Sequence, residues 1–338
     1  SKVSWASGSP ARAASAINQR TGGGIVHMER VVNPGDFTLL EKLCAHCGEP
    51  YADASILPTA RLSEFAASGV KVALSGDGAD EIFCGYERYL ALRWASRFSL
   101  LPGFLQRPLL KAASGLIPDG GERTLSGRLR RFLRVMAATK EQRYFTLLDR
   151  CGASLKQTLF GEKLRAAANR NSAELFDALQ WELTSVNQIE RLSEIDMHTY
   201  LPGDILTKVD IASMMYSLEV RSPFLDREVV EFAARLPLSY KLRGTKRKRI
   251  LCEAFKDVLP REISGRAKKG FGVPVAAWLR RDWRSAAEQA LFDGKLCNGE
   301  YFRRETVESI WKEHLSGKRD YSYLLWNLLI FSLFLERN

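Results

Sequence analysis

The feature that most constrains the fold is an apolar strand pattern followed by a tight loop and a helical pattern. Residues 70–74 are apolar apart from Lys71, residues 75–81 read SGDGADE, and residues 82–94 return to helical spacing of apolar side chains. A short, continuous apolar run is typical of a buried strand in a parallel sheet. The sequence therefore predicts a strand whose carboxyl end opens into this loop, the place where ligands collect in open α/β sheets.

The rest of the chain falls into two patterns. The first 90 residues alternate short apolar runs with helical spacing, which predicts an α/β fold with a doubly wound parallel sheet. Strands are predicted at 2–6, 25–32 and 70–74, and helices at 10–20, 36–47, 55–68 and 82–94. Beyond residue 100 helices dominate, predicted at 128–138, 140–150, 172–193, 228–236 and 321–335. We expect an α/β part at 1–110 and a mostly α-helical part at 111–338 that packs on it and closes the active site.

Composition limits the setting more than the function. Lys and Arg number 50 against 39 Asp and Glu, a formal charge of +11. Such a surplus suits phosphate-bearing small molecules, nucleic acid or an anionic membrane, and does not choose among them. Six cysteines in 338 residues do not form a disulfide framework, which favours a reducing, cytoplasmic location. The apolar run at 321–335 is too short to span a bilayer and predicts a buried helix.

The loop at 75–81 has the residue types of a phosphate and metal site. Its two glycines allow a ligand to approach the backbone closely, and N–H groups at the start of the following helix favour anions. Its carboxylates, Asp77, Asp80 and Glu81, would repel a phosphate unless a divalent cation lay between them. Mg²⁺ is commonly held by one or two carboxylates plus phosphate oxygens. The alternative is a polar turn whose aspartates cap the helix.

Two further segments carry charge. Residues 200–226 place four charged side chains among apolar residues, as ligand-binding groups or as an internal salt-bridge network: Lys208, Asp210, Glu219 and Arg221. Lys268 precedes a Gly-Phe-Gly turn within a basic stretch, which could present an ammonium to developing phosphate charge or be a solvated face. The cysteines of the run CAHC at 44–47 fall on an apolar helical stripe without a second zinc-spaced pair, which favours core packing.

Several motifs together resemble one family. The stretch VALSGDGADEIFCGY at 72–86 is similar to the second nucleotide motif of the glutamine-hydrolysing asparagine synthetases, members of the N-type ATP pyrophosphatase group. EPYADASILPT at 49–59 precedes it, and YLPGDILTKVDIASMMYSLEVRSPFLD at 200–226 and KKGFGVP at 268–274 follow in family order. The C-terminal LLWNLLIFSLFL is also similar. The resemblance covers roughly residues 25–335.

The resemblance implies an adenine-nucleotide α-hydrolase-like fold and a ligase that uses ATP and Mg²⁺. Such enzymes adenylate a carboxylate, aspartate in the typical member, and ammonia from glutamine then displaces AMP. By motif position the implied roles are catalysis for Asp77 and Lys268, ATP contact for Ser75, Gly76 and Trp5, metal or pyrophosphate binding for Asp80 and Glu81, and a substrate or structural role for Asp53, Lys208, Asp210 and Arg221.

Two departures from the family pattern shape the expectations. The Ser-Gly-Gly-x-Asp-Ser loop of the first strand and the N-terminal cysteine glutaminase domain do not occur in the sequence. We expect both to lie upstream in cis, and the chain to be inactive without them. Substrates are expected to be small molecules, with a possible homodimer and no nucleic acid or membrane partner. The alternatives are a family enzyme acting on another carboxylate, as in β-lactam closure or cell-surface amidation, and a non-catalytic homologue.

Overall fold

Helices account for most of the secondary structure. The computed structural model describes residues 17–18, 22–24, 26–30, 37–98, 110, 113, 125–138, 142–149, 151, 153–168, 183, 185, 187–259 and 272–337. Within those ranges the strands are β1 (Val72–Leu74) and β2 (Glu219–Arg221). The α-helices there are α1 (Phe37–Cys47), α2 (Ile56–Ala67), α3 (Ala79–Ile82), α4 (Glu87–Phe98), α5 (Leu125–Ala137), α6 (Gln142–Leu148), α7 (Ala153–Leu159), α8 (Glu162–Ala168), α9 (Gln188–His198), α10 (Thr207–Met214), α11 (Arg227–Arg235), α12 (Leu238–Lys241), α13 (Arg249–Ala254), α14 (Val275–Arg280), α15 (Arg284–Phe292), α16 (Arg304–Leu315) and α17 (Ser322–Arg337).

The chain divides into two compact units, each built from separate stretches of sequence. The first consists of Ser1–Pro34, Ser55–Tyr89 and Ser185–Val273, and the second of Gly35–Ala54, Leu90–Thr184 and Pro274–Asn338. The predicted division after residue 110 falls within 99–124, of which the structure describes only residues 110 and 113. That division stays a prediction.

The first unit contains a small parallel sheet that positions the loop at 75–81. Strand β1 pairs with β2 in the register Val72↔Glu219, Ala73↔Val220 and Leu74↔Arg221. The Ser75 N–H donates to the Arg221 carbonyl at 2.8 Å, so the pairing continues one residue past the end of β1. The parallel pairing agrees with an α/β fold, and the complete doubly wound sheet stays a prediction.

Helix α9 packs on α3, and an apolar cluster fills the space around them. Ile82, Phe83 and Ala233 are its fully buried members, and Phe83 contacts the Phe224 ring edge-on at 6.2 Å between centroids. The flanking side chains that pack against the cluster come from α9, α11 and α13 and the turns beside them. Because the cluster starts directly after the carboxylates of α3, it anchors the loop that precedes them.

The second unit is built around α17, which packs against α1, α14, α15 and α16. Trp326 on α17 stacks on Trp283 at 6.0 Å, and Trp283 also contacts Trp278 at 4.6 Å and Phe37 at 5.4 Å between centroids. All three tryptophans are at most 5% exposed. The predicted buried helix at 321–335 is therefore confirmed. Within the described ranges, no helix has the length and apolar character needed to cross a membrane.

The structure confirms most predicted helices and corrects three predictions. Of the helix predicted at 172–193, residues 183, 185 and 187 are not helical, and α9 begins at Gln188. The pattern at 82–94 was predicted as one helix, but α3 ends at Ile82 and α4 begins at Glu87, because Cys84 takes a left-handed conformation (φ 54°) that interrupts the helix. Residues 26–30 have no regular secondary structure, so the strand predicted at 25–32 is not observed there. The strand predicted at 2–6 lies outside the described residues.

Candidate active site

The loop at 75–81 leaves the carboxyl end of β1, as the sequence predicts. The Ser75 and Ser222 hydroxyls lie 2.7 Å apart, which joins the loop to the end of β2. Gly78 is required at its position, because its φ is 84° and an added Cβ would lie 2.2 Å from Leu225 Cδ2. Gly76, by contrast, is exposed, and an added Cβ would meet no atom of the described residues within 4 Å. The backbone at Gly76 is therefore open to an approaching ligand.

The short length of helix α3 weakens the prediction that the start of this helix attracts anions. It has four residues, Ala79–Ile82, and then gives way to a turn. A helix of one turn has little macrodipole, so helix-terminus attraction for an anion contributes little here. The remaining feature that would suit phosphate is the open backbone at Gly76. Asp77, within the loop, is half-buried, and its N–H lies 3.4 Å from Ser75 Oγ.

Asp80 is paired with a lysine that the sequence argument did not single out. Asp80 is 8% exposed, and its Oδ1 lies 2.9 Å from Lys248 Nζ. Lys248 directly precedes α13 and has a left-handed backbone conformation (φ 48°). Its backbone N–H donates to the Phe83 carbonyl at 3.3 Å. Gly85 packs against both side chains, since an added Cβ would lie 1.9 Å from Asp80 Oδ1 and 2.3 Å from Lys248 Cε. All four residues at 246–249 are basic, so the sequence alone does not indicate which of them pairs with Asp80.

Glu81 has a different environment from its neighbour Asp80. It is 1% exposed, its carboxylate accepts a hydrogen bond from the Tyr86 hydroxyl, and its carbonyl accepts one from Ser193 Oγ on α9. Burial, together with the adjacent Glu81 carboxylate, raises the pKa of Tyr86 well above its usual value. The tyrosine therefore remains protonated and acts as the donor. Whether Glu81 binds metal or pyrophosphate stays a prediction.

A buried ion pair behind the loop was also missed by sequence reasoning. Asp196 on α9 is fully buried; its Oδ2 accepts a hydrogen bond from Arg88 Nε at 3.1 Å, and its Oδ1 lies 2.8 Å from Arg88 Nη2 in an ion pair, a two-point contact. The Tyr89 hydroxyl donates to the same carboxylate. The Arg88 guanidinium also lies 3.9 Å from the Tyr86 ring centroid and 4.5 Å from that of Tyr200. Only the fold brings these residues together, because more than 100 positions separate Arg88 from Asp196.

The charged residues predicted at 200–226 separate in the structure. Lys208 is buried on α10 at 8% exposure, whereas Asp210 is exposed. Arg221 pairs with Glu219 at 2.7 Å, but both side chains are more than half exposed. The alternative of an internal salt-bridge network is therefore wrong for the Arg221 pair. Arg221 nevertheless contributes its carbonyl to the loop through Ser75.

The roles of three other site residues stay predictions. Trp5 and Lys268 lie outside the described residues, and Asp53 belongs to the second unit. At 44–47, burial raises the pKa of the Cys44 thiol to about 12 and that of Cys47 to about 11, and Cys44 packs in the core. The predicted packing role of Cys44 is confirmed. All six cysteines are free thiols.

Comparison with known proteins places these observations in a family. The asparagine synthase family profile matches residues 3–336. The chain is 33% identical over 317 residues to a putative glutamine-hydrolysing asparagine synthetase of Mycobacterium tuberculosis, covering 92% of this chain and 46% of that protein. It is 29% identical to glutamine-hydrolysing asparagine synthetase 1 of Bacillus subtilis, covering 92% and 47%. A more distant relative is the amidase chry2 of Gibberella zeae, at 24% identity over 78% of this chain and 42% of that protein.

The chain spans about half the length of the curated relatives it matches. No solved structure matches it significantly. The family profile covers nearly the whole chain, including the loop at 75–81 and its partner strand. This chain belongs to the asparagine synthase family.

Proposed function

We propose that this chain is the synthetase part of an ATP-dependent, amide-forming amidotransferase. The observation that carries the proposal is the loop at the carboxyl end of β1. There the open backbone at Gly76 lies four residues before the buried Asp80, which is paired with the half-buried Lys248. In parallel α/β folds this edge of the sheet is where nucleotides bind. Family membership supplies the reaction class. The complete doubly wound sheet is part of the same proposal.

The described residues fit an ATP phosphate chain. Within the part of the chain that the structure describes, no atom lies within 4 Å of a methyl group placed at Gly76, so a ligand can contact the backbone there. The Ser75 hydroxyl is half-buried beside it and can donate to a ligand oxygen. Ser75 and Gly76 would hold the nucleotide, and Trp5 would lie near the base. The overall positive charge favours capture of an anionic substrate.

The donor set also fits Mg²⁺ that is shared with phosphate oxygens. No group of three or more His, Cys, Asp or Glu side chains that could cage a metal occurs among the described residues. Mg²⁺ does not need such a cage, because it is commonly bound through one or two carboxylates together with substrate phosphates. Asp80 would supply the carboxylate, with Glu81 as a second candidate. When bound, the ion would neutralise phosphate charge.

In the proposed reaction a carboxylate oxygen of the substrate attacks the α-phosphorus of ATP, and pyrophosphate leaves. Ammonia then attacks the acyl carbon, and AMP leaves. Asp77 stands at the edge of the loop, where it could orient the substrate and accept protons from the incoming amine. Lys268 would stabilise the negative charge that develops on the phosphates. Asp53, Lys208, Asp210 and Arg221 are proposed for substrate contact or for shaping the site.

Aspartate is the proposed carboxylate and glutamine the proposed source of ammonia. The Mycobacterium tuberculosis and Bacillus subtilis relatives are named as glutamine-hydrolysing asparagine synthetases, and both are about twice as long as the matched region. A glutaminase domain in cis, upstream of this region, accounts for that difference in length. A homodimer and a cytoplasmic location complete the proposal.

The test is pyrophosphate release by the full-length protein with ATP, Mg²⁺, ammonia and a panel of carboxylates. Release that occurs only with aspartate supports the proposal, and release with a different carboxylate identifies another family substrate. No release with any carboxylate would contradict an enzymatic role and favour a non-catalytic homologue. Lys268→Ala should abolish release without changing the unfolding midpoint, and an unchanged rate would remove Lys268 from the site.

A further inference from the structure

Two adjacent carboxylates on α3 lie in different environments. Asp80 lies against the Lys248 ammonium, whereas Glu81 is held by the Tyr86 hydroxyl and, through its backbone, by Ser193. Under the proposed function Asp80 binds the cation, so its position matters for activity. Activity would therefore require a single conformation of the turn from Asp80 to Tyr86.

The turn between Asp80 and Tyr86 is closed by two cross-links. One is a backbone hydrogen bond of 2.8 Å from the Gly85 N–H to the Asp80 carbonyl. The other runs from the Tyr86 hydroxyl to the Glu81 carboxylate, which joins the end of the turn back to its start. Between them Cys84 has a φ of 54°, a conformation that a side chain adopts only where its surroundings enforce it. The turn thus depends on both cross-links.

The turn also sets the distance between Asp80 and Lys248. Gly85 touches both side chains, and its carbonyl accepts a hydrogen bond of 3.0 Å from Arg247, the residue before Lys248. A shift of Gly85 would therefore move the Asp80 carboxylate and the lysine relative to each other. The residue next to Gly85 in the chain is Tyr86.

Tyr86 is itself firmly held. Its ring lies 3.9 Å from the Arg88 guanidinium carbon and packs edge-on against Tyr200 at 5.8 Å between centroids. Arg88 in turn is bound by the fully buried Asp196. The hydroxyl of Tyr86 is thus presented to Glu81 by a rigid support, as required of a group that positions another.

We propose that Tyr86 is a positioning residue, whose hydroxyl bond to Glu81 keeps the turn closed and thereby sets the Asp80 carboxylate against Lys248. Only the expected effect of Tyr86 on catalysis rests on the proposed function, in which Asp80 binds the cation. The structural content of the proposal concerns the Asp80–Lys248 pair and can be measured without turnover.

The first experiment measures the Lys248 amine directly. The full chain is treated with a limiting amount of an acetylating ester, and the labelling rate of Lys248 is divided by that of Lys318, whose side chain is 75% exposed. In the native protein Lys248, with a side chain 30% exposed and an ion pair, should label slowly. Tyr86→Phe should raise the ratio about tenfold, since a lost hydrogen bond to a charged group can shift a local equilibrium by that factor.

Tyr89→Phe is the matched control. It also removes one hydroxyl from a buried carboxylate, but Asp196 keeps its two-point contact with Arg88. The labelling ratio should therefore stay at the native value. Glu81→Gln retains a side-chain oxygen that can accept a hydrogen bond from the Tyr86 hydroxyl. In this variant Lys248 should be labelled at close to the native rate. An unchanged ratio in Tyr86→Phe, or an equal rise in Tyr89→Phe, would overturn the proposal.

The second experiment follows the Mg²⁺ concentration that gives half-maximal pyrophosphate release. Measured well below the unfolding midpoint, which the lost hydrogen bond to a buried carboxylate lowers, Tyr86→Phe should need several times more Mg²⁺. Tyr89→Phe should need the native Mg²⁺ concentration. A native protein that releases no pyrophosphate refutes the proposed function, while the Lys248 labelling still decides the role of Tyr86. Active native protein with an unchanged labelling ratio in Tyr86→Phe refutes the positioning role alone.

Discussion

Replacing Gly85 with alanine should damage the site far more than it damages the fold. The φ of Gly85 is not in the left-handed region, so the alanine backbone is unstrained there. Its Cβ, however, would lie 1.9 Å from Asp80 Oδ1 and 2.3 Å from Lys248 Cε. Contacts below 3.0 Å are not tolerated, so the oxygen must move by at least 1.1 Å (3.0 minus 1.9) and the lysine carbon by 0.7 Å (3.0 minus 2.3).

These displacements set the expected magnitudes. Inserting a methyl group into a packed site costs about 1–3 kcal/mol, and the lower end applies because both displaced atoms are near the ends of side chains. A displacement of about 1 Å in a catalytic arrangement can reduce the rate about 100-fold. Gly85→Ala should therefore lower kcat/KM for pyrophosphate release by about two orders of magnitude while the protein still unfolds cooperatively.

The measurement combines pyrophosphate release with chemical unfolding of the full-length protein. Gly69→Ala is the control, because an added Cβ at Gly69 would have its nearest neighbour, the Ala66 carbonyl oxygen, at 3.9 Å. It should leave both quantities near their native values. If Gly85→Ala retained native activity after the expected loss of stability, the position of the Asp80 carboxylate would not matter for the reaction, and the reasoning would be refuted.

Three other predictions concern the loop at Gly76, the Arg88–Asp196 pair and the buried His314 on α16. Gly76→Ala should change the unfolding free energy by less than about 1 kcal/mol. It should raise the KM for ATP about tenfold, because the added methyl group occupies the space proposed for the ligand. An unchanged KM would mean that the nucleotide binds elsewhere. Arg88→Met should cost about 3–5 kcal/mol in urea unfolding, since it leaves the Asp196 carboxylate buried without its cation. Arg304→Met, at an exposed ion pair, should cost about 0–1 kcal/mol. Burial lowers the pKa of His314, so the folded state binds fewer protons than the unfolded state. Stability should be fully present above the ordinary histidine pKa of about 6.5 and fall as the pH drops through the folded value, with a flatter profile in His314→Gln.

Local patterns were enough to predict the elements that carry their own apolar signal. The run at 70–74 predicted β1, the spacing at 36–47 and 55–68 predicted α1 and α2, and the apolar stretch at 321–335 predicted α17. For the three helices the side chains that become buried are close together in sequence, so hydrophobic periodicity reports them directly. The apolar run also predicted strand β1, although Val70, Val72 and Leu74 are exposed in the structure. The loop that follows β1 was predictable for the same reason.

Strand β2 had no such signal. Its sequence is Glu-Val-Arg, and both charged side chains are exposed, so neither alternation nor an apolar run marks it. It is a strand because its backbone pairs with β1, almost 150 positions earlier in the chain. Pairing over such a distance leaves little trace in local composition, because tertiary context decides strand formation at exposed positions.

The sequence by itself determined the family, the carboxylate-rich loop and the helical character of most of the chain, since these depend on motifs and on local spacing. Only the tertiary structure decided that Asp80 lies against Lys248, that Glu81 is bound by Tyr86, and that Arg88 is paired with Asp196. Burial makes each of these partners necessary, because a charge removed from water must be compensated by whatever group the fold brings near it. That choice depends on the packing of α3, α9 and α13, which no short stretch of sequence specifies.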